Sequence, residues 1–98
     1  MTLTAEKVIA DLAITRCASA TTAEIDGQLV ALDINSGVCF GLNRAATRIW
    51  QVIETPSTCA QVTAALLEIY DVDPAVCAAE VGSLLQELVD IGLAQVAD

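Results

Sequence analysis

The side chains that most often do chemistry are sparse in this 98-residue chain and form no catalytic pattern. The chain contains four cysteines and no histidine, so no thiol has the imidazole base that commonly activates a nucleophile. Cys17, Cys39, Cys59 and Cys77 are spaced singly, without the C-x-x-C pairs typical of zinc sites. We therefore expect no metal site and interpret the cysteines as small buried apolar side chains.

The other ionisable groups also point away from catalysis. The one lysine, Lys7, lies in an N-terminal stretch without clear periodicity. Glu80, Glu87 and Asp90 recur at helical spacing, which is typical of a solvated helix face. The glycines belong to turns, a strand position and the last predicted helix or its end, and they form no phosphate-binding loop. We predict that the protein is not an enzyme and that it needs no cofactor.

Charge argues against nucleic acid as a partner. The formal net charge is -9, and the four basic residues, Lys7, Arg16, Arg44 and Arg48, all lie in the first half of the chain. Nucleic-acid affinity depends on lysine and arginine that neutralise phosphates. The last two predicted helices carry neither, so a DNA-binding winged helix is a weak alternative.

Length and composition predict one soluble domain. A chain of 98 residues, 55% of them hydrophobic, can bury a modest core. No uncharged run reaches the roughly 18 to 20 apolar residues that span a bilayer. The N-terminus lacks a basic start followed by an apolar stretch, so we expect a cytoplasmic protein with no membrane partner. We divide the chain into an N-terminal arm or extra strand, residues 1–21, and a domain, residues 22–98.

Three strands are predicted after the arm. Asp26–Gly27 is a two-residue hairpin turn between β-like runs at residues 22–25 and 28–34. A third strand follows at residues 38–42, with its apolar side chains alternating along one face. The tail, residues 93–96, is too short for a helix and is predicted to add a small strand or wing.

Three helices are predicted after the strands. Asn43 caps a first helix that ends before Pro56. A second begins with a capping box at residues 58–61, and a third begins at Asp73–Pro74 and ends at Gly92. This order predicts an α+β fold in which a three-stranded antiparallel sheet packs on three helices grouped as in a winged helix-turn-helix.

The same elements resemble a known family. The run LVALDINSGVCFGLNRAATRIW, residues 29–50, is followed by a Thr-initiated helix, by YDVDP, and by a last helix ending in LVDIGL. Together these segments resemble the PqqD-like peptide-recognition domains over residues 22–96. The resemblance implies that a leader peptide adds a fourth strand beside the third strand and lies against the third helix.

The resemblance also implies a set of peptide-binding residues. An edge strand offers unpaired N–H and C=O groups to an added strand, and flanking pockets provide specificity. Two of the helix positions, Val81 and Leu84, are at a spacing that more often belongs to the core. On the strand the implied residues are Val38, Cys39, Phe40, Gly41 and Leu42, and on the helix they are Cys77, Glu80, Val81, Leu84 and Glu87.

Two assignments within the family remain open. The preferred one is the leader-binding half of a split lasso-peptide processing protein, whose partners are a separate cysteine protease for the leader and a cyclase. The other is the chaperone of pyrroloquinoline quinone synthesis, which serves a radical SAM enzyme. Many relatives have an aromatic residue where this chain has Cys39, which predicts a different or shallower contact to the leader. An uncharacterised structural subunit is a further alternative.

Overall fold

The computed structural model describes residues 12–97, which form five strands and three helices. The first 11 residues of the predicted arm, including Lys7, and the terminal Asp98 lie outside the described residues. In chain order the elements are β1 Ile14–Arg16, β2 Ala20–Ile25, β3 Gln28–Asp33, β4 Cys39–Leu42, α1 Arg44–Val52, α2 Cys59–Leu67, α3 Pro74–Asp90 and β5 Ala94–Val96.

The main sheet is antiparallel, with strand order β2-β3-β4. Asp26 and Gly27 both take positive φ, 53° and 82°, as a two-residue hairpin turn requires, and this confirms the predicted β2–β3 hairpin. β2 begins two residues earlier than predicted, because Ala20 pairs with Asp33. β3 and β4 are each one residue shorter than predicted at the loop that joins them.

All three helices begin where the sequence predicts. The Asn43 side chain accepts from the N–H of Ala46 over 2.8 Å. Thr58 and Gln61 form a reciprocal capping box, and the Asp73 carboxylate accepts from the N–H groups of Ala75 and Val76. α3 ends before Gly92, whose φ of 91° allows the chain to turn into β5.

Trp50 of α1 lies at the centre of the core and is 2% exposed. Its indole Nε1 donates to Thr22 Oγ1 of β2 over 3.0 Å. On its other side the Arg16 guanidinium lies 4.8 Å from the ring centroid, and Arg16 Nε donates to the Trp50 carbonyl over 2.9 Å. Trp50 therefore joins α1 to the main sheet and to β1. Other fully buried core side chains are Ile14, Ile53, Val62, Val81, Leu85, Leu88 and Leu93.

A small second sheet closes the domain. β1 pairs antiparallel with β5, and Ile14 also exchanges backbone hydrogen bonds with Ser57, at 2.8 and 3.0 Å. Ile14 is fully buried. The predicted small strand at the end of the chain, β5, thus pairs with β1, which lies within the segment predicted as an N-terminal arm or extra strand, residues 1–21. Within residues 12–97, no helix has the length and apolar character needed to cross a membrane.

Candidate functional site

The backbone of β4 has one side open. Successive residues of an antiparallel edge strand turn their N–H and C=O groups alternately toward the neighbouring strand and away from it. The N–H of Asp33 donates to the carbonyl of Val38 over 2.8 Å, so Val38 faces β3. Phe40 then faces β3 as well, while Cys39 and Gly41 direct their backbone groups outward. β4 ends the strand order of the main sheet, and among the described residues no strand pairs with its outer side.

Hydrogen bonding on the far side of β3 leads to the same assignment. The N–H of Ile34, just after β3, donates to the carbonyl of Ser19, just before β2, over 3.2 Å. Even-numbered residues here therefore face β2, and odd-numbered residues face β4. Ala31 lies opposite Phe40 in the register, which again makes Phe40 an inward-facing residue of β4.

A groove of about 700 Å³ lies beside this open edge. Phe40 and Gly41 of β4 line one part of it, and α3 lines another with Val76, Cys77, Glu80, Val81 and Leu84. Residues from α1, α2 and the α2–α3 connection complete the lining: Asn43, Arg44, Ala45, Ala46, Ile49, Leu66, Tyr70 and Val72. A volume of this size, with mostly apolar walls and a few polar groups, is typical of a binding site.

The floor of the groove consists of buried core side chains, and its rim carries exposed aliphatic side chains. Ile49, Leu66 and Val81 belong to the core and are 4% exposed or less. Val72 and Val76, on either side of the α3 cap, are 48% and 52% exposed. Exposed aliphatic side chains that border an apolar groove provide surface that a bound segment can cover.

The ionisable groups of the groove are suited to contact and not to covalent chemistry. Burial, with smaller contributions from Glu80 and Cys59, raises the pKa of the Cys77 thiol. Cys77 therefore stays protonated at neutral pH and is a weak nucleophile. Glu80 on α3 and Arg44 at the start of α1 both line the groove and are exposed. Among the described residues, no cluster of three or more His, Cys, Asp or Glu could hold a metal ion.

Six of the predicted site residues line the groove: Phe40, Gly41, Cys77, Glu80, Val81 and Leu84. The other four do not. Leu42 is buried, 3% exposed, and Glu87 is exposed further along α3. Val38 precedes β4, and Cys39 offers its backbone at the open edge. The expectation that the cysteines are buried is correct for Cys77, whereas Cys17 and Cys59 are half-buried and Cys39 is exposed.

Sequence reasoning missed the groove residues of the α2–α3 connection and of the first turn of α3. Tyr70 follows the apolar positions of α2 at helical spacing, which is typical of a core residue, and Val72 and Val76 belong to no periodic apolar face. Two valines flanking the strong helix start at Asp73–Pro74 were the available signal. Arg44 was missed because a charged residue at the first position of a helix has no feature that marks it as part of a groove.

The chain is similar to two solved leader-peptide complexes. One is TbiB1 in complex with the TbiA(beta) leader peptide, with 26% identity, a TM-score of 0.73, and coverage of 86% of this chain and 99% of that chain. The other is lasso peptide synthetase B1 complexed with the leader peptide, with 26% identity, a TM-score of 0.72, and coverage of 84% and 96%. Among curated protein sequences, none matches the chain.

A third similar structure supports the fold alone. It is the PqqD truncation of Methylobacterium extorquens PqqCD, a stand-alone recognition element for ribosomally synthesised and post-translationally modified peptides, with 18% identity and a TM-score of 0.71. The alignment covers 88% of this chain and 92% of that one. These likenesses confirm the predicted α+β fold of a three-stranded sheet packed on three helices. The family model for coenzyme PQQ synthesis protein D matches residues 28–94, and the chain therefore belongs to the PqqD family.

Proposed function

We propose that this protein binds the leader segment of a ribosomally made precursor peptide and presents it to a partner processing enzyme. The observation that carries the proposal is the open edge of β4 directly beside the apolar groove that α3 lines. The similarity of the chain to two proteins solved with leader peptides supports the same function.

Binding proceeds by strand addition. The outward N–H and C=O groups of Cys39 and Gly41 pair with the backbone of an extended segment, which becomes a fourth strand of the main sheet. Side chains of that segment alternate between the two faces of the sheet. Those on the helix side enter the groove, where Val81 and Leu84 contact them, while the others face solvent beside Cys39.

The chemistry on the precursor belongs to the partner. The chain has no histidine, and the Cys77 thiol is protonated and buried. We propose that the partner is a cysteine protease that removes a lasso-peptide leader, with a cyclase acting on the same precursor. The two solved leader complexes at 26% identity favour this assignment. The family description favours the alternative, a chaperone that serves a radical SAM enzyme in pyrroloquinoline quinone synthesis.

Calorimetric titration with a synthetic leader, lacking the core segment, tests the binding function. The leader is that of a short precursor peptide, to be sought among the genes next to the one for this protein. We expect saturable binding at micromolar Kd or tighter, which corresponds to about -8 kcal/mol. A leader that does not bind, while the intact precursor does, would place recognition in the core segment and refute the proposal.

Mass spectrometry tests whether the partner enzyme, and not this protein, cleaves the precursor. The precursor incubated with this protein alone should keep its mass, and cleavage should appear when the cysteine protease is added. Cleavage by the purified protein alone would contradict a binding role. Stimulation of a radical SAM enzyme, with no effect on leader cleavage by the protease, would favour the alternative partner.

A further inference from the structure

The charge of the groove indicates what kind of leader segment fits it. We propose that the segment bound beside β4 carries a lysine or arginine side chain that lies along α3 and reaches Glu80. On the same face of the segment, two positions away, an aliphatic side chain fills the apolar groove. This inference rests on the proposed function and adds the chemical class of the ligand.

The α3 wall is acidic and has no cation of its own. From residue 53 to the end the chain contains no lysine, arginine or histidine, and its charged side chains are all carboxylates. Glu80 lines the groove and is exposed. Glu87 is exposed seven residues later, about two helical turns along the same face. A bound segment therefore meets a negative field along α3.

The groove surface next to Glu80 suits the stem of a basic side chain. Val76 lines the groove one helical turn before Glu80 and is 52% exposed, so it offers accessible apolar surface next to that carboxylate. Lysine and arginine place their methylene stems along apolar surface while the charged group stays in water. An acidic side chain at this position would be repelled, and a short polar one would leave the apolar surface uncovered.

Because of Arg44, the preference for a basic side chain applies only to the α3 wall of the groove. Among the described residues Arg44 is the single cation that lines the groove, and it belongs to the start of α1, whereas Glu80 belongs to α3. A uniformly basic peptide would meet Arg44 unfavourably. The groove therefore favours a mixed segment with its positive side chain toward α3, and not any polycation.

The test uses the synthetic leader of the calorimetric titration, labelled with fluorescein, in three versions. The first is unchanged, the second has each lysine and arginine replaced by glutamine, and the third has each replaced by glutamate. Fluorescence anisotropy measures the Kd of each version for the wild type, Glu80→Gln, Glu80→Lys and Glu68→Lys. Glu68 is exposed at the end of α2 and does not line the groove, so Glu68→Lys matches the charge change of Glu80→Lys away from the site.

Glu80→Gln should weaken binding of the unchanged leader by about two- to fivefold at low salt, the range of an exposed ion pair. Glu80→Lys should weaken it further and should improve binding of the glutamate version relative to wild type. Glu68→Lys should leave the order of the three peptides unchanged. The effects of Glu80 variants should shrink at high salt, where exposed charges are screened.

Two results would overturn the inference while leaving leader binding intact. One is a leader that binds the wild type but has no lysine or arginine in the bound segment. The other is equal affinity for the three peptides, or an equal response to Glu80→Lys and Glu68→Lys, which would reduce the effect to net charge. If none of the peptides binds the wild type, the proposed function itself fails, and the inference fails with it.

Discussion

Replacing Cys39 by proline separates docking at the β4 edge from the stability of the sheet. Proline removes a backbone N–H and is tolerated on an edge strand only where that N–H faces away from the neighbouring strand. The register places the Cys39 N–H on the outer side and the Phe40 N–H on the β3 side. Cys39→Pro should therefore stay folded and bind the leader less tightly, whereas Phe40→Pro should lose stability.

The magnitudes follow from the groups that each substitution removes. Cys39→Pro removes one donor to the leader, which contributes about 0.5 to 1.5 kcal/mol, or roughly a two- to thirteenfold change in Kd. Phe40→Pro removes an internal ladder hydrogen bond and the packing of a half-buried aromatic ring. It should cost about 3 kcal/mol of a total near 5 to 15 kcal/mol.

Urea unfolding and leader titration of both variants provide the measurement. Cys39→Ala is the matched control, because it removes the thiol but keeps the N–H, and it should bind nearly as the wild type does. If folded Cys39→Pro binds the leader with unchanged Kd, β4 is not the docking edge. If Cys39→Pro unfolds while Phe40→Pro remains stable, the backbone directions derived from the register are wrong.

Three further predictions concern the scaffold. Trp50→Ala should lower the free energy of unfolding by about 3 to 5 kcal/mol in urea titrations, and an unchanged midpoint would show that the ring is dispensable. The Ser19 hydroxyl, with smaller contributions from the neighbouring loop, lowers the pKa of Asp33, so this carboxylate stabilises the fold above about pH 4 and loses that effect as the pH falls. Asp33→Asn should be less stable than wild type near neutral pH, and their melting temperatures should converge as the pH falls through the lowered pKa of Asp33; a gap that does not depend on pH would contradict this. Thr58→Ala should cost about 1 kcal/mol by removing half of the α2 capping box, with Thr58→Ser as a control that keeps the hydroxyl and should be nearly neutral in thermal melts.

Local patterns were sufficient to predict the elements of this fold. Asp26–Gly27 is one of the few dipeptides that readily take the two positive φ angles of a tight hairpin turn. Asn43, Thr58 and Asp73 each place a side-chain acceptor where the first N–H groups of a helix lack partners. These requirements act within a few residues, so they can be read from the chain before any tertiary contact is known.

The partners of β1 could not be predicted in this way. Arg16 and Ile14 lie in a segment without clear periodicity, and their contacts are to residues between 34 and 82 positions away in the chain. The burial of Trp50 is predictable from the sequence, because it lies with Ile49 and Ile53 at helical spacing, and it is 2% exposed. Its hydrogen bond to Thr22 was not predictable, because the side-chain contact depends on how α1 lies across the sheet.

The candidate groove, too, was predictable from the sequence only in part. Sequence and family resemblance indicated β4 and α3, because hairpin turns and helix starts depend on a few neighbouring residues. For each residue of β4, the sequence left two possibilities: its backbone N–H and C=O face β3 or face outward. Which of Cys39 and Phe40 faces outward was decided by tertiary structure, since it depends on the register with β3. Tertiary structure also brought Val72 and Val76 to the rim of the groove, since the packing of α3, and not spacing along the chain, sets which side chains border it.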